Sequence, residues 1–397
     1  MNNGGATGSG GTRLIHVDAL RGFALLGMLA VNMALFSSGY AFTGIADPTL
    51  NSWLDDAVEW TIFFLFTMKF YLLFSFLFGY SFTLQMDSAE RRGNPFKPAF
   101  LRRLAALFAL GIAHAVLLFP GDILATYAVL GLILLAVRNI RPRTAMVIAG
   151  LLTVATTIAM VLVGLSGAIA TDPASALIEG ARSTEALRGS AGQVLSEHLK
   201  TLPWSLGTLA VQGPLALASF LIGLALGKRR ALADPSAHGQ ALRLLQWVGL
   251  PIGLSGALIF ASFGGTHDTL ATAVGYATAP LLTAAYVATA LRVFQSPRLK
   301  IPTGFLAAGG RMALTNYLTQ SLVCALIFTG LGAGLIGKLR PGTVLLLTLG
   351  LFVVQLVVSK LWLRLFRYGP VEWLLRAVTY GSWSPAPTGA QTSKVVT

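Results

Sequence analysis

His114 and Asp122 are the two residues of this chain whose chemistry most suggests catalysis. His114 lies near the end of a predicted apolar span at 99–119, and Asp122 begins the next span at 122–138. Histidine can act as a general base near neutral pH, because its unperturbed pKa is about 6.5. Asp122 could orient the imidazole, or it could simply cap the helix that it begins. His114 has an alternative as well, since a backbone carbonyl could satisfy it at an interface.

Asn32 is predicted to lie in the same polar layer as His114. Counted from Ala99 at 1.5 Å per residue, His114 lies about 22 Å along its span, in the outer half of a bilayer. Asn32 lies at a similar height in the predicted first span, 19–40. A polar amide so far inside an apolar helix is costly unless it has a partner. The two side chains could therefore meet near the outer surface.

Lys69 lies about 17 Å down the predicted second span, 58–86, which places its charge near the middle of a bilayer. A lone cation there costs roughly 2.5–3.5 kcal/mol on insertion scales, so it needs a partner or a water-filled cavity. Lys69 could form a structural ion pair or bind free carbonyls. It could instead await an anionic group of a ligand.

Other polar residues extend the set of candidates. Asp18 and Arg21 lie one helical turn apart at the start of the first span, and Asn316 and Gln320 share one face of the ninth. Such amides either join helices to each other in lipid or line a substrate path. The basic cluster from Arg91 to Arg103 mainly predicts topology, but its charges would also attract phosphates. The predicted binding residues are Asp18, Arg21, Lys69, Arg102, Arg103, Arg311, Asn316 and Gln320.

The elements that must position these residues are membrane-spanning helices. The chain is 55% hydrophobic and 11% charged, against about 25% charged in a soluble domain. Most of the apolar stretches approach the roughly 20 residues that cross a hydrocarbon core, and the fourth is marginal. An all-α polytopic membrane protein with about ten transmembrane helices is therefore expected. The predicted spans are 19–40, 58–86, 99–119, 122–138, 143–168, 206–227, 243–263, 270–292, 306–329 and 342–363.

The distribution of charge predicts the orientation of these helices. The net charge of +14 could suggest a nucleic-acid partner, but most of the 29 Lys and Arg residues lie on the side that holds the N-terminus. This asymmetry follows the positive-inside rule and predicts that both termini are cytoplasmic. We expect no nucleic acid among the partners. The single cysteine, Cys324, excludes an internal disulfide and a cysteine-rich metal site, and no metal is expected.

The predicted spans divide the chain into three regions. Residues 1–18 are predicted to be a flexible cytoplasmic tail, and 19–363 to be the transmembrane domain. Within that domain the long outer loop 169–205 divides the spans into two halves of five, and its polar pattern suits a surface helix or a flap. Residues 364–397 are predicted to form a cytoplasmic interfacial helix and a loose tail. Two inverted halves are typical of secondary transporters, but the halves share no convincing similarity of sequence.

Several motifs resemble those of the YeiB-like bacterial membrane proteins. The first span, with Asp18-x-x-Arg21-Gly22 and Asn32, also resembles the transmembrane acyltransferase superfamily, the relatives of heparan-alpha-glucosaminide N-acetyltransferase. The remaining matching motifs are Lys69-Phe70 with Leu73 to Gly79, Gly111 and His114 with Gly121 to Leu124 and Tyr127, Gly310-Arg311 through Asn316-Tyr317 and Gln320-Ser321, and Tyr368 to Trp373.

The resemblance implies transfer of an acyl group, most simply acetyl, from cytosolic acyl-CoA to a hydroxyl or amine of an extracytoplasmic or lipid-linked acceptor. In the sugar N-acetyltransferase the catalytic histidine directly follows the first span, whereas 37–56 holds no histidine here. We therefore expect His114 to be the base, Asp122 to orient it, and Asn32 to donate to the thioester oxygen.

The partners expected from this function are membrane lipids and a small-molecule, glycan or lipid acceptor, and the sequence leaves association into a homodimer open. The alternative is a transporter or flippase that moves an anionic solute or lipid past Lys69. A third reading is a membrane scaffold without catalysis, in which Lys69, Asn32 and His114 would face separate directions.

Overall fold

The computed structural model describes residues 14–167 and 172–381, without the side chains of residues 204, 205, 208 and 209. The described residues form helices joined by turns, with no β-strand, so the predicted all-α class is confirmed. The principal helices are α1 Ile15–Ser37, α2 Trp53–Leu65, α3 Lys69–Glu90, α4 Phe96–Leu117, α5 Leu124–Ala136, α6 Pro142–Ser166, α7 Pro173–Arg188, α8 Ala191–Lys228, α9 Gly239–Ser262, α10 Thr269–Phe294, α11 Lys300–Arg311, α12 Ala313–Phe328, α13 Pro341–Leu365 and α14 Pro370–Tyr380.

Eight helical stretches in the described part of the chain are long and apolar enough to cross a membrane. Two shorter apolar helices, α5 and α12, fall within the predicted fourth and ninth spans. The outward faces of α6 and α13 expose rows of large aliphatic side chains, among them Leu151, Leu162, Leu346 and Val353. Surfaces so apolar need lipid around them. The chain is a membrane protein.

The predicted second span is interrupted rather than continuous. Helix α2 ends at Leu65 and α3 begins at Lys69, with Met68 in the left-handed region at φ 70°. The backbone amides of Phe66 and Thr67 both donate to the Ile62 carbonyl, which closes the end of α2. A break within a membrane must satisfy the carbonyls that it frees, because no water is available there.

The predicted ninth span is also divided, at Met312 between α11 and α12. Helix α11 lies directly against the start of α1, and glycines on both helices allow the close approach. A Cβ atom at Gly22 would clash with the Leu306 carbonyl, and one at Gly310 would clash with the Asp18 carbonyl. Small residues commonly allow helices to approach closely in lipid. This contact fixes Arg21 and Arg311 next to each other on one face of the protein.

The segment predicted as the outer loop 169–205 is mostly helical. Helix α7 begins with an Asp172 cap on Ser175, and α8 starts at Ala191 and runs on as one long helix to Lys228. The end of α7 is attached to the α12–α13 connection, where the Arg188 Nε donates to the Ile336 carbonyl at 2.8 Å. Residues 168–171 lie outside the described part of the chain.

The predicted interfacial helix of the C-terminal region corresponds to α14. The Glu372 carboxylate accepts hydrogen bonds from the backbone amides of Leu314 at 2.7 Å and Thr315 at 3.0 Å, and from the Thr315 hydroxyl at 2.6 Å. Glu372 thereby caps the N-terminus of α12, whose positive dipole end favours a carboxylate. Residues 1–13 and 382–397 of the predicted terminal regions lie outside the described residues, whereas residues 15–18 of the predicted tail 1–18 already belong to α1, where Val17 and Asp18 are buried.

Candidate functional site

A cavity of about 240 Å³, here called the arginine cavity, opens between α1, α3, α4, α5, α12 and α14. Its rim carries three arginines, Arg21, Arg103 and Arg311. Its α3 wall extends from Gln85 to Phe74, which corresponds to a depth of about 17 Å at 1.5 Å per residue. We call the surface at this rim the arginine-rich face. A cationic opening thus leads into an apolar interior.

Arg21 is fixed on the rim by two charged or polar partners. Its guanidinium donates to the Asp18 carboxylate at 2.6 Å and to the Ser81 hydroxyl at 2.6 Å. The Asp18 carboxylate of this pair is buried, whereas the Arg21 side chain is partly exposed at the cavity. Because Arg21 lies in the first half of α1 and Ser81 in the second half of α3, the bond also joins these two helices. The aspartate and arginine of the first-span motif therefore act as a unit that positions one cation.

Arg103 is a rim cation with unused hydrogen-bonding capacity. Its Nε is buried and donates to no residue that the structure describes. Arg311 by contrast donates to the Arg367 carbonyl at 3.2 Å. A buried donor without a partner is costly and needs an explanation. An anionic group of a ligand, such as a phosphate, would supply the missing acceptor.

The deep end of the arginine cavity is lined by apolar and aromatic side chains. Met28 and Phe74 contribute apolar surface, and Tyr127 and Tyr317 contribute ring faces. Tyr127 is held by its hydroxyl, which lies 2.7 Å from the Ser75 hydroxyl and donates to the Tyr71 carbonyl at 3.0 Å. The interior suits an unbranched, weakly polar chain better than a charged group.

His114 and Asp122 form a buried pair immediately beyond this deep end. His114 Nδ1 lies 2.9 Å from Asp122 Oδ1, and both side chains are about 2% exposed. The other carboxylate oxygen accepts the Ala125 amide at 2.8 Å. Asp122 therefore caps α5, and it also lies close enough to His114 for the second role that the sequence left as an alternative, orientation of the imidazole, which stays a prediction. Nε2 of His114 is buried and has no hydrogen-bond partner among the described residues.

One aromatic side chain separates the arginine cavity from the imidazole. The Tyr317 ring lines the cavity and lies 5.1 Å from the His114 ring, centroid to centroid. Ile123, adjacent to Asp122 in the chain, lines the cavity as well. A continuous polar conduit to His114 is therefore not open in this conformation, although the cavity reaches the level of the pair.

Asn32 lies one helical turn beyond Met28 on the same face of α1, since residues four apart share a face. It is buried, and its side chain makes no hydrogen bond to the described residues. Asn32 does not line the arginine cavity. The structure thus places it further from the arginine-rich face than Met28, and among the described residues no hydrogen bond joins it to His114 or Asp122.

Lys69 is not at the cavity. Its ammonium donates to the Phe63 carbonyl at 2.7 Å and lies 5.4 Å from the centre of the Phe260 ring. The Tyr286 hydroxyl donates to a second carbonyl near the end of α2, that of Leu65, at 3.2 Å. Lys69 therefore satisfies a carbonyl that the α2–α3 break leaves free, which was one of the two readings open from the sequence.

Asn316 and Gln320 hold helices together rather than line the cavity. The Asn316 amide donates to the Gly309 carbonyl at 3.0 Å and to the Ser359 hydroxyl at 2.9 Å. Gln320 donates to Gln355 at 2.8 Å. These bonds tie α12 to α11 and α13. Arg102 also lies away from the arginine cavity, beside a second cavity on the same face.

Sequence reasoning did not single out Ser81, Tyr127, Tyr317 and Glu372, although they line the cavity or shape it. Three of the four lie within the motifs that carry the family resemblance. The feature of the sequence that could have identified them is a polar or aromatic residue within an otherwise apolar motif. Its partner on another helix could not be inferred from spacing along the chain.

On the opposite face a small pocket of about 30 Å³ contains a second buried histidine, His198. Its Nδ1 lies 3.1 Å from the Val116 carbonyl. The neighbouring Glu197 is buried and paired with Arg182 at 3.0 Å. Burial lowers the pKa of His198 below its usual 6.5, so the imidazole is neutral at neutral pH.

The comparisons with known proteins agree with this architecture. The chain is 35% identical over 390 residues to "Uncharacterized protein YxaH" of Bacillus subtilis (strain 168), covering 94% of this chain and 96% of that protein. The chain belongs to the family of YxaH. "Uncharacterized protein YeiB" of Escherichia coli (strain K12) is 27% identical over 400 residues and covers 94% of this chain and 98% of its own length.

The family model described as "Protein of unknown function (DUF418)" matches residues 226–382 of this chain. The matched region holds Arg311, Tyr317 and Glu372, which belong to the arginine cavity. The predicted YeiB-like resemblance is therefore confirmed. No solved structure matches the chain.

Proposed function

We propose that this member of the YxaH family is a membrane acyltransferase that takes its acyl group from acyl-CoA. The observation that carries the proposal is the arginine cavity, which combines a rim of three arginines with an apolar interior that ends at Tyr317, whose ring lies against the buried His114 of the His–Asp pair. Acyl-CoA matches this cavity along its length, because it carries phosphates at one end and an acyl thioester at the other. The arginine-rich face would lie in the cytoplasm, where this donor is found.

The chemistry needs a base and an oxyanion donor close to the thioester. The acceptor hydroxyl or amine would give its proton to His114 Nε2 as its oxygen or nitrogen attacks the thioester carbonyl carbon. The C–S bond then breaks, and the CoA thiolate takes that proton from the imidazolium. Asp122 keeps the Nδ1 proton in place throughout, and Asn32 would stabilise the oxyanion.

Access to His114 requires a movement of Tyr317. Its ring stands between the cavity and the imidazole, so we propose that a change of its side-chain rotamer joins them when the acyl thioester is bound. The acceptor would arrive from the opposite face, through the region of His198. The donor then never has to cross the bilayer, and only its acyl group does.

The test uses the purified protein with radiolabelled acetyl-CoA and a panel of glycan and lipid acceptors. His114→Asn should lower the rate of CoA release by about 10²–10⁴-fold, since general base catalysis contributes that much. His238→Asn is the matched control, because His238 is exposed on the short 3₁₀ helix that precedes α9. Equal rates for the two variants, or no CoA release with any acceptor, would count against the proposal.

The second candidate is a transporter of an anionic solute, which the interrupted α2–α3 helix favours, since broken helices mark many transport sites. The Lys69 contacts do not favour it, because the ammonium is used by the Phe63 carbonyl and lies outside the arginine cavity. Solute flux in proteoliposomes without acyl-CoA would support this candidate instead.

A further inference from the structure

A second cavity, here called the aromatic cavity, lies on the arginine-rich face next to the arginine cavity. It has a volume of about 210 Å³ and is lined by Arg92 and Arg102 and by the rings of Phe96, Phe100 and Tyr380. Gln85 lines both cavities, so they meet at this residue. The two therefore form neighbouring compartments of one depression in the surface.

Helix α14 forms a common wall of the two cavities. Glu372 and Leu375 face the arginine cavity, and Thr379 and Tyr380, one to two turns later, face the aromatic cavity. Because Glu372 is bonded to the start of α12, the whole helix is held in place. A ligand that extends from one compartment to the other would thus pass along a single fixed helix.

The side chains of the aromatic cavity are suited to a base and a phosphate. Arg376 lies 4.8 Å from the centre of the Tyr380 ring and 5.2 Å from that of Tyr368, which fixes the Tyr380 ring by cation–π contacts. Arg102 is exposed and makes no hydrogen bond to a described residue, so its guanidinium is available to a phosphate. Aromatic rings next to arginines also provide stacking surfaces for purine bases.

The size of the arginine cavity gives the second argument. At about 240 Å³ it is smaller than most ligand sites, which range over roughly 300–1,000 Å³. It can hold a slender chain, but the remainder of a nucleotide thioester needs additional space. The aromatic cavity is the adjacent space, and it contributes two further arginines.

We infer that the aromatic cavity binds the purine nucleotide end of the donor, with the base beside Tyr380 and a phosphate on Arg102. The thioester arm then enters the arginine cavity past Gln85, and Arg103 binds the phosphate nearest to that arm. This inference rests on the proposed acyl-CoA donor. The nucleotide and an anionic lipid headgroup both carry a phosphate, so the same arginines could bind either one.

The experiment measures binding to the full-length purified protein by isothermal titration calorimetry. Three ligands are compared: acetyl-CoA, adenosine 3′,5′-bisphosphate and S-acetyl-4′-phosphopantetheine. Arg102→Ala and Tyr380→Ala should each weaken binding of acetyl-CoA and of the bisphosphate by roughly 10-fold, as for loss of a charged or stacking contact. Neither should change binding of the phosphopantetheine thioester. Lys97→Ala is the matched control, since Lys97 is exposed on α4 and lines neither cavity.

The outcomes separate this inference from the proposed function. If acetyl-CoA binds and Arg102→Ala behaves like Lys97→Ala, the nucleotide does not use the aromatic cavity and the inference is wrong. The inference also fails if phosphatidylglycerol displaces the bisphosphate while acetyl-CoA does not. If neither acetyl-CoA nor the phosphopantetheine thioester binds the unmodified protein, the proposed function itself fails.

Discussion

At the scale of single residues, the direction of the His114 imidazole is the central feature. A carboxylate oxygen of Asp122 lies 2.9 Å from Nδ1, but the two atoms do not have hydrogen-bond geometry in this conformation. We expect a small rotation of the imidazole to place the Nδ1 proton on Asp122 and leave the lone pair on Nε2, as in other acid–base pairs in which a carboxylate orients a histidine. Asp122 in turn is held by the Ala125 amide. A buried lone pair without a partner is the arrangement that a general base needs.

His198 allows a prediction about pH. Burial lowers its pKa in the folded protein below the 6.5 of the unfolded chain. Its contribution to stability is then complete above pH 6.5 and is lost as the pH falls from 6.5 through the lower folded pKa. The apparent Tm in detergent should therefore decline between about pH 7 and pH 5, and His198→Asn should reduce that decline.

The charged groups near His198 affect the pH at which this stability is lost. Glu197 favours the charged imidazole, and His114 opposes it. Arg182→Gln, which releases Glu197, is therefore a useful second variant, because it should shift the pH at which stability is lost. An apparent Tm in His198→Asn with the same pH dependence as the unmodified protein would contradict this account.

At the scale of helices, the α1–α11 contact positions the rim of the arginine cavity. Gly22 and Gly310 bring the two backbones together, and the adjacent residues in sequence are Arg21 and Arg311. The two motif glycines therefore act through the arginines beside them. Neither arginine could keep its position if the helices were pushed apart.

Gly310→Ala tests this role directly. Its Cβ would meet the Asp18 carbonyl, a backbone atom that cannot rotate away, so the helices must separate. Overpacking of this kind costs about 1–3 kcal/mol, and we expect a lower apparent Tm together with weaker acetyl-CoA binding. Gly350→Ala is the matched control, because nothing lies within 4 Å of the added Cβ on α13. Equal behaviour of the two variants would refute the proposed role of the contact.

The helices show which features a sequence can predict. Long apolar stretches predicted the all-α membrane fold, since hydropathy reports the solvent around a helix. The break at Met68 was not predicted, because one residue in a left-handed conformation leaves the hydropathy of the span unchanged. A bond from Lys69 to a free carbonyl was one of the predicted alternatives, but the break that frees the Phe63 carbonyl could not be located from the sequence. Within the site, the proximity of His114 and Asp122 followed from their adjacent span ends.

At the scale of the whole molecule, the charge asymmetry and the cavities coincide. Both the arginine cavity and the aromatic cavity open on the face where α1 and α4 begin, and this is the face that the positive-inside rule assigns to the cytoplasm. The arginines that predict the topology therefore include some that line the candidate ligand site. Arg103 serves both, since it lies in the basic cluster and lines a cavity.

This coincidence makes the orientation of the protein testable by cysteine labelling. Cys324 is buried, so a Cys324→Ser background provides an unlabelled control. In that background, Glu185→Cys on α7 should react with a membrane-impermeant maleimide in intact cells, because it is exposed on the face opposite the cavities. Arg91→Cys, exposed on the arginine-rich face, should react only after the membrane is permeabilised. The reverse pattern would place both cavities outside the cell, away from any cytosolic thioester, and acyl transfer from CoA would then have no donor.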